Sequence, residues 1–497
     1  MLGFELMLFS AIFASLSALF FFFATKKLKF AEFGEVALYA SLSFCFASML
    51  LLLHYLITDN FSIYYVYAYS QREMSFEYKL SALWAGKEGS LLLWNFANLL
   101  VASIFASSGK KDLQKAKALA IFMAISSFLL ILSLFSNPFE VLDFNPSNGV
   151  GMNPLLRTPE MIIHPPLVFF GYALVVCIYA GHLAGIEQRK TVRIAWAFLT
   201  AGIVLGGWWA YRTLGWGGFW GWDPVENASL LPWLALTAYM HTNKGRELFA
   251  YLSMIFVAFT AFITRSGILS SVHSFGEDPI GWVYFFLIVA CALPLLRKWE
   301  IRDNCYTSLL FGAMIVVIML GTIANLFRNV DRSYYLITFT PIFFATALMA
   351  LYKLKASRRK LIHIGVLLLF IGANSVWFFE QKETVVLSPE GRSDEISFYL
   401  QNVSSYRTPE KTIIKAEILS SLGVIEPEMH IYPQSTVSKV YIISNPFLDY
   451  YFAMNRVSQS FVELEFYRVP LISLVWLGSI LLILGLISER IGLGSKK

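Results

Sequence analysis

Long apolar stretches separated by short polar connections fill the chain from its first residues to about residue 380. A membrane-spanning helix needs about 20 consecutive apolar residues, because the hydrocarbon core of a bilayer is ~30 Å thick. Stretches of roughly this length recur along the sequence and predict about 13 transmembrane helices. Their approximate bounds are 4–25, 35–57, 84–106, 116–136, 162–186, 192–210, 228–242, 248–264, 281–296, 306–326, 333–352, 361–379 and 469–488. The pattern therefore predicts an all-α polytopic membrane protein.

The segment 380–467 breaks this pattern, because it is polar and its apolar residues come in short runs. The runs ETVVL, KTIIKAEIL, KVYIIS and FVELEF alternate in polarity or are rich in β-branched residues, which is typical of strands. The segment is therefore predicted to be a small β-rich domain that either docks a partner or caps the membrane part. The predicted organisation is a transmembrane domain over 1–379, the β-rich domain over 380–467, and a last transmembrane helix with a tail over 468–497.

The distribution of basic residues predicts how the chain is oriented. The sequence is 57% hydrophobic and 14% charged, with a net charge of +6, which is typical of a bilayer protein and gives no reason to expect nucleic acid as a partner. Alternate connections differ roughly threefold in Lys and Arg, and the richer set is expected to face the cytoplasm. The N-terminus is therefore predicted to lie outside and the C-terminus inside, with the β-rich domain extracytoplasmic.

The cysteines give no sign of thiol chemistry. Cys45, Cys177, Cys291 and Cys305 form no CxxC pair, and none falls in a predicted external loop. Neither a disulfide framework nor a thiol redox centre is expected.

The loop over 206–228, here called the aromatic loop, is the most unusual segment of the sequence. The run GGWWAYRTLGWGGFWGWDPVENASLLPW starts with it and contains six of the chain's 13 tryptophans: Trp208, Trp209, Trp216, Trp220, Trp222 and Trp233. Interleaved glycines permit tight backbone paths that bring rings close together, and indole N–H groups can still bond a polar partner. The loop is therefore predicted to present an aromatic platform (Trp216, Trp220 and Trp222) to a large planar ligand. An aromatic belt at the membrane interface is the alternative, but a belt needs only scattered rings.

The residues that follow the platform predict the start of a helix. Asp223 and Pro224 are followed by Glu226 and Asn227, an order that is typical of a helix N-terminus.

Four of the seven histidines form two pairs in the predicted topology. His164 and His273 fall on the outer side, and His241 and His363 fall on the inner side. Imidazole is a common axial ligand of haem iron, and two histidines from different helices can bind both faces of one porphyrin. A histidine near hydrocarbon is costly and is a functional candidate by default.

The alternative is that each histidine simply bonds a lipid headgroup or a backbone carbonyl at the interface. Three others illustrate it: His54, His182 and His430. A zinc site is less favoured, because no close Cys, His or carboxylate spacing accompanies any of the four paired histidines.

Several motifs together resemble one protein family. The run GWGGFWGWDPVEN resembles the WWD signature of haem-handling membrane proteins, and the wider set resembles cytochrome c maturation protein F (CcmF). The other matching stretches are ALWAGKEGSLLLW (82–94), MIIHPPL (161–167), ITRSGILSSVH (263–273) and the HIG that begins at His363. Two departures are that Lys87 stands where the family has a histidine and that the chain is shorter than most members. Haem exporter–synthetase proteins share the signature and its flanking histidines, but the motif over 82–94 favours the F-type family.

The resemblance implies an enzyme of the holocytochrome c synthase (haem lyase) type, acting within a complex at the outer face of the cytoplasmic membrane. It implies that His164 and His273 ligate or position incoming haem, the substrate, at an outer site. It also implies that His241 and His363 are the two axial ligands of the iron of a resident haem b. The partners that it implies are a CcmE-like haem chaperone, apocytochrome c, and CcmH-like and CcmI-like subunits that reduce and present the apocytochrome, with a quinol as a candidate reductant.

At the outer site, haem is expected to lie on the aromatic platform while the CxxCH thiols of apocytochrome c meet its vinyl groups. Asp223 and Arg265 are candidate partners for the platform and for the haem propionates. The simpler alternatives are that Asp223 caps the following helix and that Arg265 binds a lipid phosphate. Glu88 and Glu226 are further candidate polar supports.

Three other classes of protein remain open at this stage. A haem exporter of the same signature family would pass haem from the inner site to the outer site. A quinol-linked b-type cytochrome would keep both haems fixed, and a pure scaffold would bind partners but no haem.

Overall fold

The computed structural model describes residues 2–242, 244–271, 279–296, 306–354, 359–387, 398–458 and 461–492. The helices in these residues are α1 (Leu2–Ala24), α2 (Phe30–Ile57), α3 (Tyr64–Tyr69), α4 (Phe76–Ala82), α5 (Lys87–Ser107), α6 (Leu113–Phe135), α7 (Pro159–Leu183), α8 (Arg189–Thr213), α9 (Pro224–His241), α10 (Arg246–Ser266), α11 (Val283–Ala292), α12 (Tyr306–Ala324), α13 (Arg332–Lys353), α14 (Lys360–Phe379) and α15 (Ile472–Gly492). The strands are β1 (Gln381–Leu387), β2 (Phe398–Arg407), β3 (Thr412–Ser420), β4 (Gly423–Ile425), β5 (Glu428–Ile431), β6 (Thr436–Lys439), β7 (Tyr441–Ser444), β8 (Leu448–Val457) and β9 (Val462–Pro470).

The predicted fold class, a polytopic helical membrane protein with a small β-rich domain, is confirmed. Ten of the described helices are long and apolar enough to cross a membrane: α1, α2, α5, α6, α7, α8, α10, α12, α13 and α14. The remaining predicted spans, 228–242, 281–296 and 469–488, coincide with α9, α11 and α15. The total of thirteen and the orientation stay predictions.

Small polar side chains join the first two helices inside the apolar region. Ser10 Oγ donates to Ser41 O at 2.9 Å, and Ser41 Oγ donates to Ser10 O at 2.8 Å. Between apolar helices in lipid no hydrophobic driving force favours association, so small residues and interhelical hydrogen bonds provide it.

The chain divides into two compact units. The first comprises Met1–Met152, Pro159–Ile203 and Trp222–Ile342, and the second comprises Asn153–Thr158, Val204–Gly221 and Phe343–Lys497. Helices α8 and α13 each belong partly to both, and the aromatic loop passes from the second unit to the first after Gly221. The predicted domain boundaries, which follow composition, stay a prediction.

The β-rich domain is built from two antiparallel sheets with the strand orders β1-β9-β8-β7 and β2-β3-β5-β6, and β4 pairs with β3. Side chains from both sheets form one core, which includes Leu387, Phe398, Ile418, Phe452 and Phe466. Three of the four predicted strand segments lie in single strands, namely β1, β3 and β9. The fourth run, KVYIIS, contains the whole of β7, and its first residue is the last of β6.

Candidate functional site

The predicted loop over 206–228 is shorter in the structure, because residues 206–213 belong to α8 and residues 224–228 to α9. Helix α9 begins where the remaining loop ends, with a reciprocal cap. Asp223 Oδ1 accepts from the backbone N–H of Val225 at 2.8 Å, and Glu226 Oε2 accepts from the N–H of Asp223 at 3.1 Å. Ser271 Oγ donates to Asp223 Oδ1 at 2.7 Å. A capping box of this kind satisfies N–H groups that have no helical acceptor. Asp223 is therefore a helix cap, and Glu226 is its partner; a contact of Asp223 with haem stays a prediction.

Trp222 is held in a strained and buried position directly before this cap. Its φ angle is +59°, which bulky residues adopt only when the surroundings impose it. Its indole is 4% exposed and stacks on Tyr335 with ring centroids 4.6 Å apart and an interplanar angle of 3°. Asn227 Nδ2 donates to both Trp222 O and Tyr335 Oη at 2.9 Å. Strain of this kind clusters at functional sites, so the geometry marks the end of the loop as one.

The first half of the aromatic loop lies in the second unit, where Trp216 and Trp220 are half-buried. Gly215 and Gly217 have φ angles of +77° and +74°, so the tight path predicted for the interleaved glycines is present. The Nε1 atom of Trp216 is buried and finds no hydrogen-bond partner within the part of the chain that the structure describes. A buried N–H donor of this kind needs an explanation, and a polar group of a ligand is one.

The other three tryptophans of the run serve packing. Trp209 Nε1 donates to Leu155 O at 2.9 Å, and Trp233 Nε1 donates to Thr200 Oγ1 at 2.8 Å. The Trp208 ring meets Trp476 edge-on with centroids 4.9 Å apart.

Three of the four paired histidines share one hydrogen-bonding arrangement. Nδ1 lies 2.7 Å from Gly202 O in His164, 2.8 Å from Thr237 O in His241, and 3.0 Å from Arg359 O in His363. A carbonyl oxygen only accepts, so each Nδ1 carries the proton and each Nε2 is the basic nitrogen. An Nδ1–H that donates to a carbonyl is the usual way in which a metal-ligating histidine is oriented. His273, the fourth, lies outside the described residues.

Two of the histidines that served as interfacial examples use both ring nitrogens within the protein. His182 Nδ1 bonds Ile178 O at 2.9 Å, and its Nε2 lies 3.1 Å from Tyr239 Oη. His430 Nε2 lies 2.8 Å from Glu428 Oε2, and its Nδ1 lies 3.0 Å from the ammonium of Lys411. Neither imidazole therefore offers a basic nitrogen to a ligand.

His241 and His363 lie at the ends of their helices that are remote from the elements predicted to be external. His241 is the last residue of α9, an 18-residue helix that begins at the aromatic loop, and a rise of 1.5 Å per residue puts about 27 Å between its two ends. His363 lies in the first turn of α14, a 20-residue helix whose other end leads into β1. Each histidine is therefore about a hydrocarbon thickness away from an element predicted to be external.

His164 lies in a helical turn where a proline removes one backbone hydrogen bond and a tryptophan side chain replaces it. Pro165 has no N–H, so the carbonyl of Met161, four residues earlier, lacks its helical donor. Trp84 Nε1 donates to that carbonyl at 2.8 Å. The motif over 82–94 thereby supports the helix turn that presents His164, a contact that no local pattern in the sequence indicates.

Arg265 is buried against the start of α5. It is 5% exposed, and its guanidinium donates to Lys87 O and to Ser90 Oγ, both at 2.8 Å. This burial leaves little surface for a lipid phosphate, and a contact with a haem propionate stays a prediction. Lys87, which stands where the family has a histidine, places its Nζ 4.0 Å from Glu88 Oε1 in the first turn of α5.

Comparison with known proteins gives concordant matches. Residues 84–270 match the family described as Cytochrome C assembly protein. The chain is 37% identical to the cytochrome c-type biogenesis protein ccl1 of Rhodobacter capsulatus over 285 residues, 52% of this chain and 42% of that protein. It is 35% identical to the cytochrome c-type biogenesis protein CcmF of Pseudomonas aeruginosa over 366 residues, 65% of this chain and 55% of that protein.

A solved structure has the same fold over the whole length. It is titled Cytochrome c Heme Lyase CcmF and aligns with a TM-score of 0.82 at 19% identity, covering 98% of this chain and 97% of that one. The matches to the two curated relatives, in contrast, span about half of their length. The ten apolar helices indicate a multi-pass membrane protein, and the curated relatives that it resembles are named as proteins of cytochrome c biogenesis.

Proposed function

Because the chain resembles the CcmF family in its motifs, its curated relatives and its fold, we propose that it is an integral membrane cytochrome c haem lyase. It would receive haem on the outward-facing aromatic loop and promote its attachment to apocytochrome c. The observation that carries the proposal is the shared arrangement of His164, His241 and His363, whose Nδ1 atoms all bond backbone carbonyls. That arrangement presents Nε2 as the nitrogen able to ligate haem iron.

At the outer site, haem is the substrate. We assign His164 and His273 to positions near its iron, and the half-buried Trp216 and Trp220 of the aromatic platform to its ring. Trp222, which is 4% exposed and stacked on Tyr335, would hold the end of the loop. The buried Trp216 Nε1 is a donor suited to a carboxylate such as a propionate. Asp223 would act on the substrate through the loop, since it caps α9 directly after Trp222. Arg265 would contact a haem propionate from its position against the first turn of α5, where it donates to Lys87 O.

The attachment step needs little chemistry from the protein. Each cysteine thiol of CxxCH adds across one vinyl double bond, so that an S–H bond breaks and one C–S bond and one C–H bond form, with no net oxidation. The enzyme's contribution is to hold vinyl and thiol in reacting geometry, which converts a bimolecular encounter into an effectively unimolecular step.

The residues present also fit a resident haem b. His241 and His363 would hold its iron through Nε2, because in both side chains Nδ1 is committed to a carbonyl of the preceding helical turn. Such a group supplies one-electron chemistry, and its place in this reaction would be to keep the incoming iron reduced, with a quinol as the electron source.

The partners follow from the pathway. A CcmE-like haem chaperone would deliver haem, and CcmH-like and CcmI-like subunits would present reduced apocytochrome c, all at the extracytoplasmic face of the cytoplasmic membrane. A haem exporter of the same signature family and a quinol-linked b-type cytochrome are the alternatives that share these histidines.

The test is a reduced-minus-oxidised absorption spectrum with a pyridine haemochrome assay on detergent-purified protein. Wild type is expected to carry non-covalent b haem, which His241→Ala/His363→Ala loses and His164→Ala/His273→Ala retains. His182→Ala is the matched control, because both ring nitrogens of that histidine are used within the protein. Wild type that stays haem-free under adequate haem supply, or equal loss in His182→Ala, would contradict the resident-haem assignment.

A second readout separates the lyase from its alternatives. Covalent haem in a co-expressed cytochrome c should disappear in His164→Ala/His273→Ala even when haem is supplied on the extracytoplasmic side. An exporter would regain the product under that external supply, because only delivery would be missing.

A further inference from the structure

A buried hydrogen bond fastens the end of α8, from which the aromatic loop departs, to the β-rich domain. Tyr211, in the last turn of α8, donates from its hydroxyl to Asp449 Oδ2 on β8 at 2.9 Å. Tyr211 is 1% exposed and Asp449 is 4% exposed. Both residues belong to the second unit, and 238 positions of sequence separate them.

A carboxyl group buried to this extent is costly unless it is bonded. Burial raises the pKa of Asp449, while the bond from Tyr211 opposes that rise. Within the β-rich domain the carboxyl also bonds Ser444 and the backbone of Asn445 at the turn between β7 and β8, and it lies outside the apolar core. Its bond to Tyr211 joins this turn to the end of the helix from which the aromatic loop departs.

A second contact fixes the loop three residues before its Trp220. A Cβ atom added at Gly217 would lie 2.6 Å from Tyr467 Cδ1, so the loop backbone rests directly on this ring of β9. Tyr467 is itself held, because its hydroxyl donates to Glu465 Oε2 at 2.6 Å and it is paired with Tyr451 across the sheet. The ring of Tyr451 also packs on Tyr211, with centroids 5.3 Å apart.

We propose that the β-rich domain is the wall that positions Trp216 and Trp220, with Tyr211 and Asp449 as positioning residues for haem. The inference rests on the proposed function, because it takes haem as the occupant of the loop. The sequence left two roles open for this domain, partner docking and capping of the membrane part, and support of the aromatic loop is a third.

Two properties of these contacts separate positioning from general stability. The bond joins the end of α8 to the start of β8, outside the apolar core of the β-rich domain, so its loss should free the loop while that core stays intact. An amide at position 449 can still accept from the Tyr211 hydroxyl, so Asp449→Asn should behave like wild type where Asp449→Ala does not.

The first experiment is hydrogen exchange on the full-length protein in detergent, followed over residues 212–221. Asp449→Ala and Tyr211→Phe should each raise exchange there by about 10-fold or more, the factor expected for a hydrogen bond to a charged group. Asp449→Asn should stay near wild type, and so should Arg456→Ala, a change at an exposed residue of the same strand. Unchanged exchange in Asp449→Ala, or an equal rise in Asp449→Asn, would overturn the proposal.

The second experiment reads the site itself. Haem is titrated into the His241→Ala/His363→Ala background, so that only the outer site is observed, and the position of the Soret band is recorded. Asp449→Ala should shift the band or weaken haem binding at least several-fold, and Asp449→Asn should restore it. A band and an affinity that Asp449→Ala leaves unchanged would overturn the positioning role. Absence of haem binding before Asp449 is changed would count against the proposed function instead, while the exchange result would still decide the loop contact.

Discussion

Gly217→Ala should destabilise the second unit more than an alanine at an equally strained glycine elsewhere. The φ angle of Gly217 is +74°, and that of Gly245, at the start of α10, is +75°. An alanine in this region costs about 1–2 kcal/mol for the backbone alone, and that cost is common to both positions. The difference lies in space, since a Cβ at Gly217 meets Tyr467 Cδ1 at 2.6 Å, whereas around Gly245 no described atom outside its chain neighbours lies within 4 Å.

The overlap at Gly217 is hard to relieve. Carbon atoms in contact normally lie about 3.5–4.0 Å apart, so one of the two groups must move by roughly 1 Å. The Tyr467 ring is buried and is tethered by its hydroxyl to Glu465, and the second near atom, Glu380 Oε1, lies 2.7 Å from the same point. Overpacking of this kind costs about 1–3 kcal/mol, which is the expected difference between the two variants.

Thermal unfolding of both variants in one detergent provides the assay. A difference of about 1–3 kcal/mol corresponds to a midpoint roughly 2–12 °C lower for Gly217→Ala than for Gly245→Ala, for a unit of this size. Equal midpoints would show that the loop yields at Gly217 and that the contact with β9 is loose. That result would refute the reasoning from close packing.

Trp84→Phe removes the donor to the carbonyl at the start of α7 and should raise hydrogen exchange over 159–164 by several-fold, because an unpaired buried carbonyl costs about 1–3 kcal/mol. Glu410→Gln should lower the unfolding midpoint of the β-rich domain, because the Arg157 side chain that it pairs with at 3.3 Å is only 4% exposed. Burial lowers the pKa of His430 in the folded protein. As pH falls, the imidazole is therefore protonated in the unfolded chain before it is protonated in the folded one. The stability that is present above about pH 6.5 should be lost as pH falls below that value. The midpoint should therefore drop between pH 7 and 5.5 in wild type and drop less in His430→Gln.

Each of these predictions has an internal control. Trp94→Phe should leave exchange over 159–164 unchanged, because the buried Nε1 of Trp94 has no hydrogen-bond partner among the described residues. Glu463→Gln should shift the unfolding midpoint little. Its partner Arg456 is largely exposed, and Arg456 Nε lies 3.9 Å from Glu463 Oε2. A pH profile of His430→Gln that overlays wild type would assign the acid sensitivity to other groups.

Local patterns in the sequence predicted the elements and several details of the site. The order Asp223, Pro224, Glu226 was sufficient to predict the start of α9, because a cap is made by residues close in sequence. Alternation in ETVVL and FVELEF predicted β1 and β9 for the same reason. The tautomer of His164 was not predictable, because its acceptor, Gly202 O, lies on another helix.

Contacts between distant segments carry the remainder of the site and leave no local trace. Nothing around Tyr335 indicates that it stacks on Trp222, and nothing around Trp84 indicates that it donates to α7. The burial of Arg265 likewise depends on the first turn of α5, 175 positions earlier in the sequence. Such pairs are set by how helices pack, which periodicity alone does not determine.

The order of synthesis adds a constraint on when the aromatic loop can take its shape. Tyr211 leaves the ribosome 238 residues before Asp449, and chains elongate at about 5–20 residues per second, so the tyrosine waits roughly 10–50 s for its acceptor. During that interval the loop lacks the strands β8 and β9 on which it rests. A nascent chain, or one truncated before these strands, would thus display the tryptophans without their support, and the loop can take its described shape only once β8 and β9 have been made.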